Sequence, residues 1–153
     1  MDDFNFIAIV LAAVIATFIK NTFIFLFGLL TKTDIKPVFL IGTLATNETT
    51  KFGKLSNSRK AFLVGSAIYY SLGILISCVY VWLWIMQIGN PNLMNVFIFG
   101  FFTGVISLTG MSILLKSHKN PPKIRIADHF SAVLIGNVIF AINFYYLYLQ
   151  ILD

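Results

Sequence analysis

The chain has 153 residues, of which 58% are hydrophobic and 11% are charged, and its formal net charge at pH 7 is +5. Soluble domains average about 45 to 50% apolar and about 25% charged residues, so this composition excludes an ordinary soluble fold and indicates a membrane protein. The single cysteine, Cys78, excludes an internal disulfide framework, a Cys-x-x-Cys redox pair and a thiolate metal cluster.

Four apolar runs are long enough to cross a bilayer as helices, which takes about 20 residues each. They are residues 4–30, 61–86, 93–115 and 129–152. None alternates strictly between apolar and polar residues, as the strands of a membrane barrel would. The runs predict an all-α, polytopic membrane protein, with residues 1–153 forming one four-transmembrane-helix domain. The acidic start MDDFNF and the lack of a small-residue cleavage site predict that the first run is retained as a helix.

The first predicted span contains Lys20 and Asn21 in the apolar stretch VIATFIKNTFIF. Lys20 lies about 15 Å from the end of the run, which is farther than its side chain reaches. A lysine at mid-membrane costs about 2.5 to 3.5 kcal/mol, so either the span ends early or Lys20 faces the interior of the bundle. We expect the interior position, with His129, Asn143 or a water-filled cavity as the partner of Lys20.

The first loop, residues 31–60, contains the apolar segment PVFLIGTL at 37–44, which is too short to span a membrane. It either lies in the membrane interface or enters the bilayer as a re-entrant turn, and we favour the interfacial position.

The loops 31–60 and 116–128 hold every Lys and Arg residue except Lys20. The positive-inside rule therefore predicts that both loops face the cytoplasm and that both termini lie outside it, an N-out/C-out topology. We expect the location to be a bacterial inner membrane.

The basic loops lack the aromatic stacking motifs of nucleic-acid binding, so no nucleic-acid partner is predicted. Anionic lipid headgroups are the expected partners of the second loop. The basic residues concerned are Lys116, Lys119, Lys123 and Arg125.

Small residues repeat along one face of the second and of the third span, as helix packing in membranes requires. The second span has Gly65, Tyr69, Gly73 and Ser77, and the third has Gly100, Thr103, Gly104, Ser107 and Met111. We expect these two faces to meet, or one of them to form a contact in a homo-oligomer.

The fourth span places His129, Gly136, Asn143 and Gln150 seven residues apart, which puts them on one face. This face is a predicted polar seam along the whole span. It either holds neighbouring helices together by hydrogen bonds or lines a hydrated path or ligand cleft. Asn137 points elsewhere in this interpretation, toward a second neighbouring helix.

No nucleophile with a base, carboxylate pair, phosphate-binding glycine loop or zinc-ligand spacing is visible, so we expect no catalytic residues, no metal and no cofactor. His118 and His129 are eleven residues apart, which fits no common zinc spacing.

The order of these segments resembles small, uncharacterised bacterial inner-membrane proteins of the YagU type. The segments that carry the resemblance are KPVFLIG at 36–42, LVGSAIYYSLGILISCVY followed by FIFGFFTGV, and ADHFSAVLIGNVIF at 127–140. The resemblance implies no chemistry and transfers no functional residues.

The sequence thus predicts a non-enzymatic integral membrane protein, a small homo-oligomeric channel or transporter-like conduit whose interior includes Lys20 and the polar seam. A second interpretation is an accessory subunit or membrane sensor that binds a partner membrane protein through its basic loops. A third is a membrane enzyme that modifies a lipid, with the basic loop holding the headgroup.

Overall fold

A computed structural model of the chain describes residues 5–33 and 35–152. These residues form five helices: α1 (Phe6–Thr31), α2 (Pro37–Thr46), α3 (Arg59–Ile85), α4 (Leu93–Ser117) and α5 (Ile126–Leu152). Helices α1, α3, α4 and α5 are each long and apolar enough to cross a membrane. The predicted all-α, four-helix membrane bundle is confirmed, with span bounds within three residues of those expected from the sequence.

Local signals set the ends of the helices. The side chains of Asn5, Ser58 and Asn92 accept hydrogen bonds from backbone amides in the first turns of α1, α3 and α4. These bonds satisfy amides that have no acceptor within their own helix. Lys32 ends α1 and Asn47 ends α2, both in the left-handed conformation with φ of 52° and 56°.

Helix α5 is central to the bundle, because both α1 and α4 pack along it. Helix α3 packs against α1, and the short α2 packs against α3. The two basic connections, α1 to α3 and α4 to α5, lie together at what we call the loop end. The start of α1 and the end of α5 lie at the opposite, terminal end.

Most of the buried apolar residues in the described chain belong to two clusters of unequal size. The terminal-end cluster includes small residues of α1 and large aromatic residues of α3 and α5: Ala8, Ile9, Ala12, Ala13, Ala16, Tyr80, Trp84, Phe140, Phe144 and Tyr148. The loop-end cluster has Ile24, Ile35 and Ala132 at its centre. The interior between them, around Lys20, is where the bundle is polar.

The glycine faces of α3 and α4 pack against different helices. A Cβ at Gly65 would lie 2.0 Å from the Val38 carbonyl oxygen of α2, and one at Gly73 would lie 2.3 Å from Thr17 Oγ1 of α1. On α4, a Cβ at Gly100 would lie 2.8 Å from the Val138 Cα of α5. The prediction that the two faces meet is therefore wrong, because α2 and α1 cover the first face and α5 covers the second.

Gly104 likewise packs on α5, where an added Cβ would lie 2.8 Å from Leu134 Cδ1. Ser107, one turn further along α4, is half-buried. Helices α3 and α4 do contact each other near the terminal end, where Tyr80 Oη and Thr103 Oγ1 are 2.8 Å apart.

Helix α2 lies along α3, antiparallel to it, and does not lie across the ends of the spans. A Cβ at Gly42 would lie 1.8 Å from the Ala61 carbonyl oxygen, and Val38 packs on Gly65 one turn deeper along α3. The chain before α2 folds back beside the end of α1, where Thr33 and Ile35 pack against Gly28. The interfacial and the re-entrant positions of this segment both stay predictions.

Candidate functional site

Lys20 lies inside the bundle between α1, α3 and α5. Its Nζ donates a hydrogen bond to Asn137 Oδ1 at 2.9 Å. It also lies 5.2 Å from the ring centroid of Tyr69 and 5.7 Å from that of Phe140. Asn137 Nδ2 donates to the Val133 carbonyl oxygen at 2.8 Å, and this bond holds the amide with Oδ1 toward Lys20.

The predicted partners of Lys20, His129 and Asn143, are wrong. The buried face of α5 follows the helical period through Val133, Asn137, Phe140 and Phe144. Residues seven apart drift by about 20° per step relative to a straight helix, so His129 and Gln150 differ by roughly 60°. Asn137 is the acceptor because Lys20 is level with this turn of α5, where a Cβ at Gly136 would lie 3.5 Å from Lys20 Cγ, whereas Asn143 is about 9 Å farther along the helix.

The predicted polar seam does not extend along the whole of α5. His129 is buried, Gly136 packs against Ile24 of α1, and Gln150 is exposed. Asn143 is half-buried and donates to the Ile139 carbonyl oxygen of its own helix at 2.8 Å. Beyond Asn137, toward the terminal end, the interior face of α5 is aromatic.

Lys20 forms no ion pair with a carboxylate in the described chain. An ammonium group has three N–H donors, of which Asn137 accepts one. The two rings attract the cation by roughly 0.5 to 2 kcal/mol each when water is excluded. These contacts lower the cost of burying a lysine, but they leave its charge unbalanced.

Further polar groups in the same interface lack hydrogen-bond partners among the described residues. They are Thr17 Oγ1, Tyr69 Oη, Ser77 Oγ, Trp84 Nε1 and His129 Nε2. The three α3 residues among them extend over about 22 Å at 1.5 Å per residue. Together with Lys20 and Asn137, we call Thr17, Tyr69 and Ser77 the polar row; Trp84 belongs to the terminal-end cluster and His129 lies at the loop end.

A buried polar group without a partner costs about 1 to 3 kcal/mol, and in a membrane no lipid chain satisfies it. Water or a polar solute would satisfy these groups. The unpartnered hydroxyls of the polar row are therefore candidate binding positions for water or a small polar solute.

Asn21 is not part of the polar row. It is half-buried and lines a groove of about 420 Å³ between α1, the start of α2 and α3. Phe18, Phe25 and Tyr70 also line this groove, which is mainly apolar.

The four basic residues predicted to bind lipid headgroups separate into two pairs. Lys123 and Arg125 line a cleft of about 340 Å³ at the loop end, together with His129 and Lys54 of the first loop. Lys116 and Lys119 are exposed and do not line this cleft. The sequence interpretation missed Lys54, because no local pattern connects it to a loop about 70 residues later.

The described residues contain no group of three or more His, Cys, Asp or Glu side chains arranged to hold a metal ion. No protein-family model, curated protein or solved structure matches this chain. The resemblance to YagU-type proteins stays a prediction. Fold and site together define a four-helix membrane bundle with a half-buried lysine between three of its helices.

Proposed function

We propose that this protein is a non-enzymatic membrane conduit that passes a small anion along the polar row, with Lys20 as its central binding site. The observation that carries the proposal is the lysine itself, which lies inside the bundle with one hydrogen bond and no carboxylate partner. A methionine would fill the same space without the cost of burying a charge, so a structural role alone does not account for a lysine here.

The chemistry of the polar row favours an anion. Lys20 carries a positive charge when it is protonated, and the hydroxyls of Thr17, Tyr69 and Ser77 can each donate a hydrogen bond to an anion. A carboxylate-based proton relay would need acidic side chains beside Lys20, and the described spans offer only Asp128, in the first turn of α5.

The row is closed on both sides of Lys20 by the two apolar clusters. Passage of an anion therefore requires these clusters to separate transiently. Because the row lies within one chain, conduction does not depend on the predicted homo-oligomer. The oligomer, the inner-membrane location and the N-out/C-out topology stay predictions.

Anion flux from proteoliposomes tests the proposal, with chloride as the probe. We expect Lys20→Met to reduce flux at least about tenfold while the protein still elutes as a folded species. Lys116→Met is the matched control, because it removes the same charge from an exposed position, and it should conduct like the wild type. Equal flux from wild type and Lys20→Met would overturn the proposal and favour the accessory subunit, which tolerates changes at Lys20 but not in its basic loops.

Cysteine accessibility tests the path independently of the transported ion. In a Cys78→Ser background, a small, membrane-impermeant thiol reagent should label cysteines at Thr17, Lys20 and Ser77. The controls are Ile15→Cys and Leu75→Cys, at similar depths on outward-facing positions that are 43% and 59% exposed in the isolated chain. Equal labelling of path and control positions would contradict a hydrated row.

A further inference from the structure

The loop-end cleft brings together residues from four separate segments of the chain. Thr33 follows α1, Lys54 and Asn57 belong to the connection between α2 and α3, and Lys123 belongs to the connection between α4 and α5. His129 contributes from the start of α5. A cavity of about 340 Å³ lies within the range of roughly 300 to 1,000 Å³ that is usual for small-molecule sites.

A backbone hydrogen bond joins the two loops, so the position of the cleft is fixed by the backbone and not only by flexible side chains. The Lys123 amide donates to the Gly53 carbonyl oxygen at 2.8 Å. The turn that carries Gly53 is closed by Thr50, whose Oγ1 accepts from the Lys54 amide at 2.9 Å. Lys54 and Lys123 are thereby placed on one wall.

Positive charge predominates in the cleft. Lys54, Lys123 and Arg125 supply three cationic side chains. Among the described residues Asp128 is the adjacent carboxylate, with its Oδ2 3.1 Å from Arg125 Nε. Asp34 lies outside the described residues. Helix α5 begins beside the cleft, and its first backbone amides have no acceptor within the helix, which also favours an anion there.

His129 is the buried polar group of this cleft. Its side chain belongs to a residue that is 3% exposed, it lines the cleft, and its Nε2 has no hydrogen-bond partner. A buried imidazole nitrogen without a partner is costly unless a ligand provides one. We propose that this cleft binds a phosphate group, which accepts hydrogen bonds from His129 and from the cations of the two loops. The site is independent of the proposed conduit.

The neighbouring groove favours a phospholipid as the carrier of the phosphate. Ile35 lines both the cleft and the apolar groove between α1 and α3. The two spaces therefore lie on adjacent sides of the segment that precedes α2. A headgroup phosphate in the cleft places lipid chains at the groove, whereas a soluble phosphate compound would use the cleft alone.

Lipid binding by the full chain tests the site. Native mass spectrometry would measure how much phosphatidic acid the protein retains in competition with diacylglycerol, which has the same chains and no phosphate. We expect Lys54→Gln/Lys123→Gln to weaken binding about tenfold or more, as the loss of charge-assisted hydrogen bonds predicts. The control, Lys116→Gln/Lys119→Gln, removes two charges outside the cleft and should change binding less than about threefold.

A second arm uses inorganic phosphate with the protein in nanodiscs of neutral lipid, read as a shift in melting temperature. One outcome is binding of inorganic phosphate without selective binding of phosphatidic acid. A shift in melting temperature that is lost in the cleft pair and kept in the control pair would then support the same site with a soluble ligand. Equal losses of binding in the cleft pair and the control pair would overturn the proposal, because a diffuse basic surface attracts anions through all four lysines alike. The absence of binding in both arms would overturn it as well. His129→Leu should weaken binding as well. If that variant fails to fold, the comparison of Lys54→Gln/Lys123→Gln with Lys116→Gln/Lys119→Gln still tests the site.

Discussion

The hydrogen bond between Lys20 and Asn137 can be measured as a coupling energy in a double-mutant cycle. The variants are Lys20→Met, Asn137→Leu and the two combined. Asn137 is fully buried, and its Oδ1 accepts from Lys20 Nζ at 2.9 Å. Leucine is close to asparagine in shape, so the single change removes the acceptor without leaving a large cavity.

The expected coupling depends on the charge of Lys20. A hydrogen bond to a charged group contributes about 1.5 to 3 kcal/mol, whereas interhelical polar pairs in membranes average about 0.6 kcal/mol. We expect Asn137→Leu to lower the free energy of unfolding by about 2 kcal/mol, because the ammonium then loses its acceptor. The double variant should be close to the wild type or more stable, since both partners become apolar.

The assay is reversible unfolding in bicelles or mixed micelles, followed by circular dichroism, with the free energy of unfolding determined for all four proteins. Lys116→Met serves as the control for loss of one charge and should be near neutral. A coupling above about 1.5 kcal/mol would establish a charged lysine, and one near 0.6 kcal/mol would indicate a neutral amine. Additive effects, with no coupling, would refute the assignment of Asn137 as the partner.

Two further predictions concern the α2 segment. Gly65→Ala should destabilise the protein by about 1 to 3 kcal/mol, because its Cβ would overlap the Val38 carbonyl oxygen. The control is Gly110→Ala, whose Cβ meets open space and which should be neutral or stabilising. The melting temperatures of the two variants test this difference. A hydrogen bond from Ser58, together with contacts to Ser56 and Lys60, lowers the pKa of Glu48 below its ordinary value of 4.5. Glu48 therefore stabilises the loop fully above pH 4.5, and this stabilisation is lost as the pH falls through the lower pKa of the folded state. Limited proteolysis of the loop should therefore accelerate on acidification in the wild type, and a pH response unchanged in Glu48→Gln would contradict this.

The α2 segment illustrates how far a composition argument reaches. The run at 37–44 is too short to span, and this alone is compatible with an interfacial helix and with a re-entrant one. The tertiary structure adds the packing of Gly42 on Ala61 and of Val38 on Gly65, which brings together two glycines 23 residues apart. Neither glycine indicates its partner locally.

Lys20 shows the same division between local and distant information. Its position in an apolar run predicts that it faces the interior, because exposure of an ammonium to lipid is costly. The choice of Asn137 over Asn143 depends on how α1 and α5 are placed along each other, because Lys20 packs beside Gly136 and Asn143 lies about 9 Å beyond Asn137 along α5.

The sequence by itself determined the class of fold and the position of the four spans, because lipid requires about 20 consecutive apolar residues and backbone hydrogen bonds within each helix. Both requirements are local and can be read from a single segment. Only the tertiary structure decided the neighbours of α3 and α4, the acceptor for Lys20 and the cleft that joins Lys54 to Lys123 and His129. Those features depend on side-chain contacts between segments far apart in the chain, where close packing of small residues and the rotation of each helix select one partner among several of equal polarity.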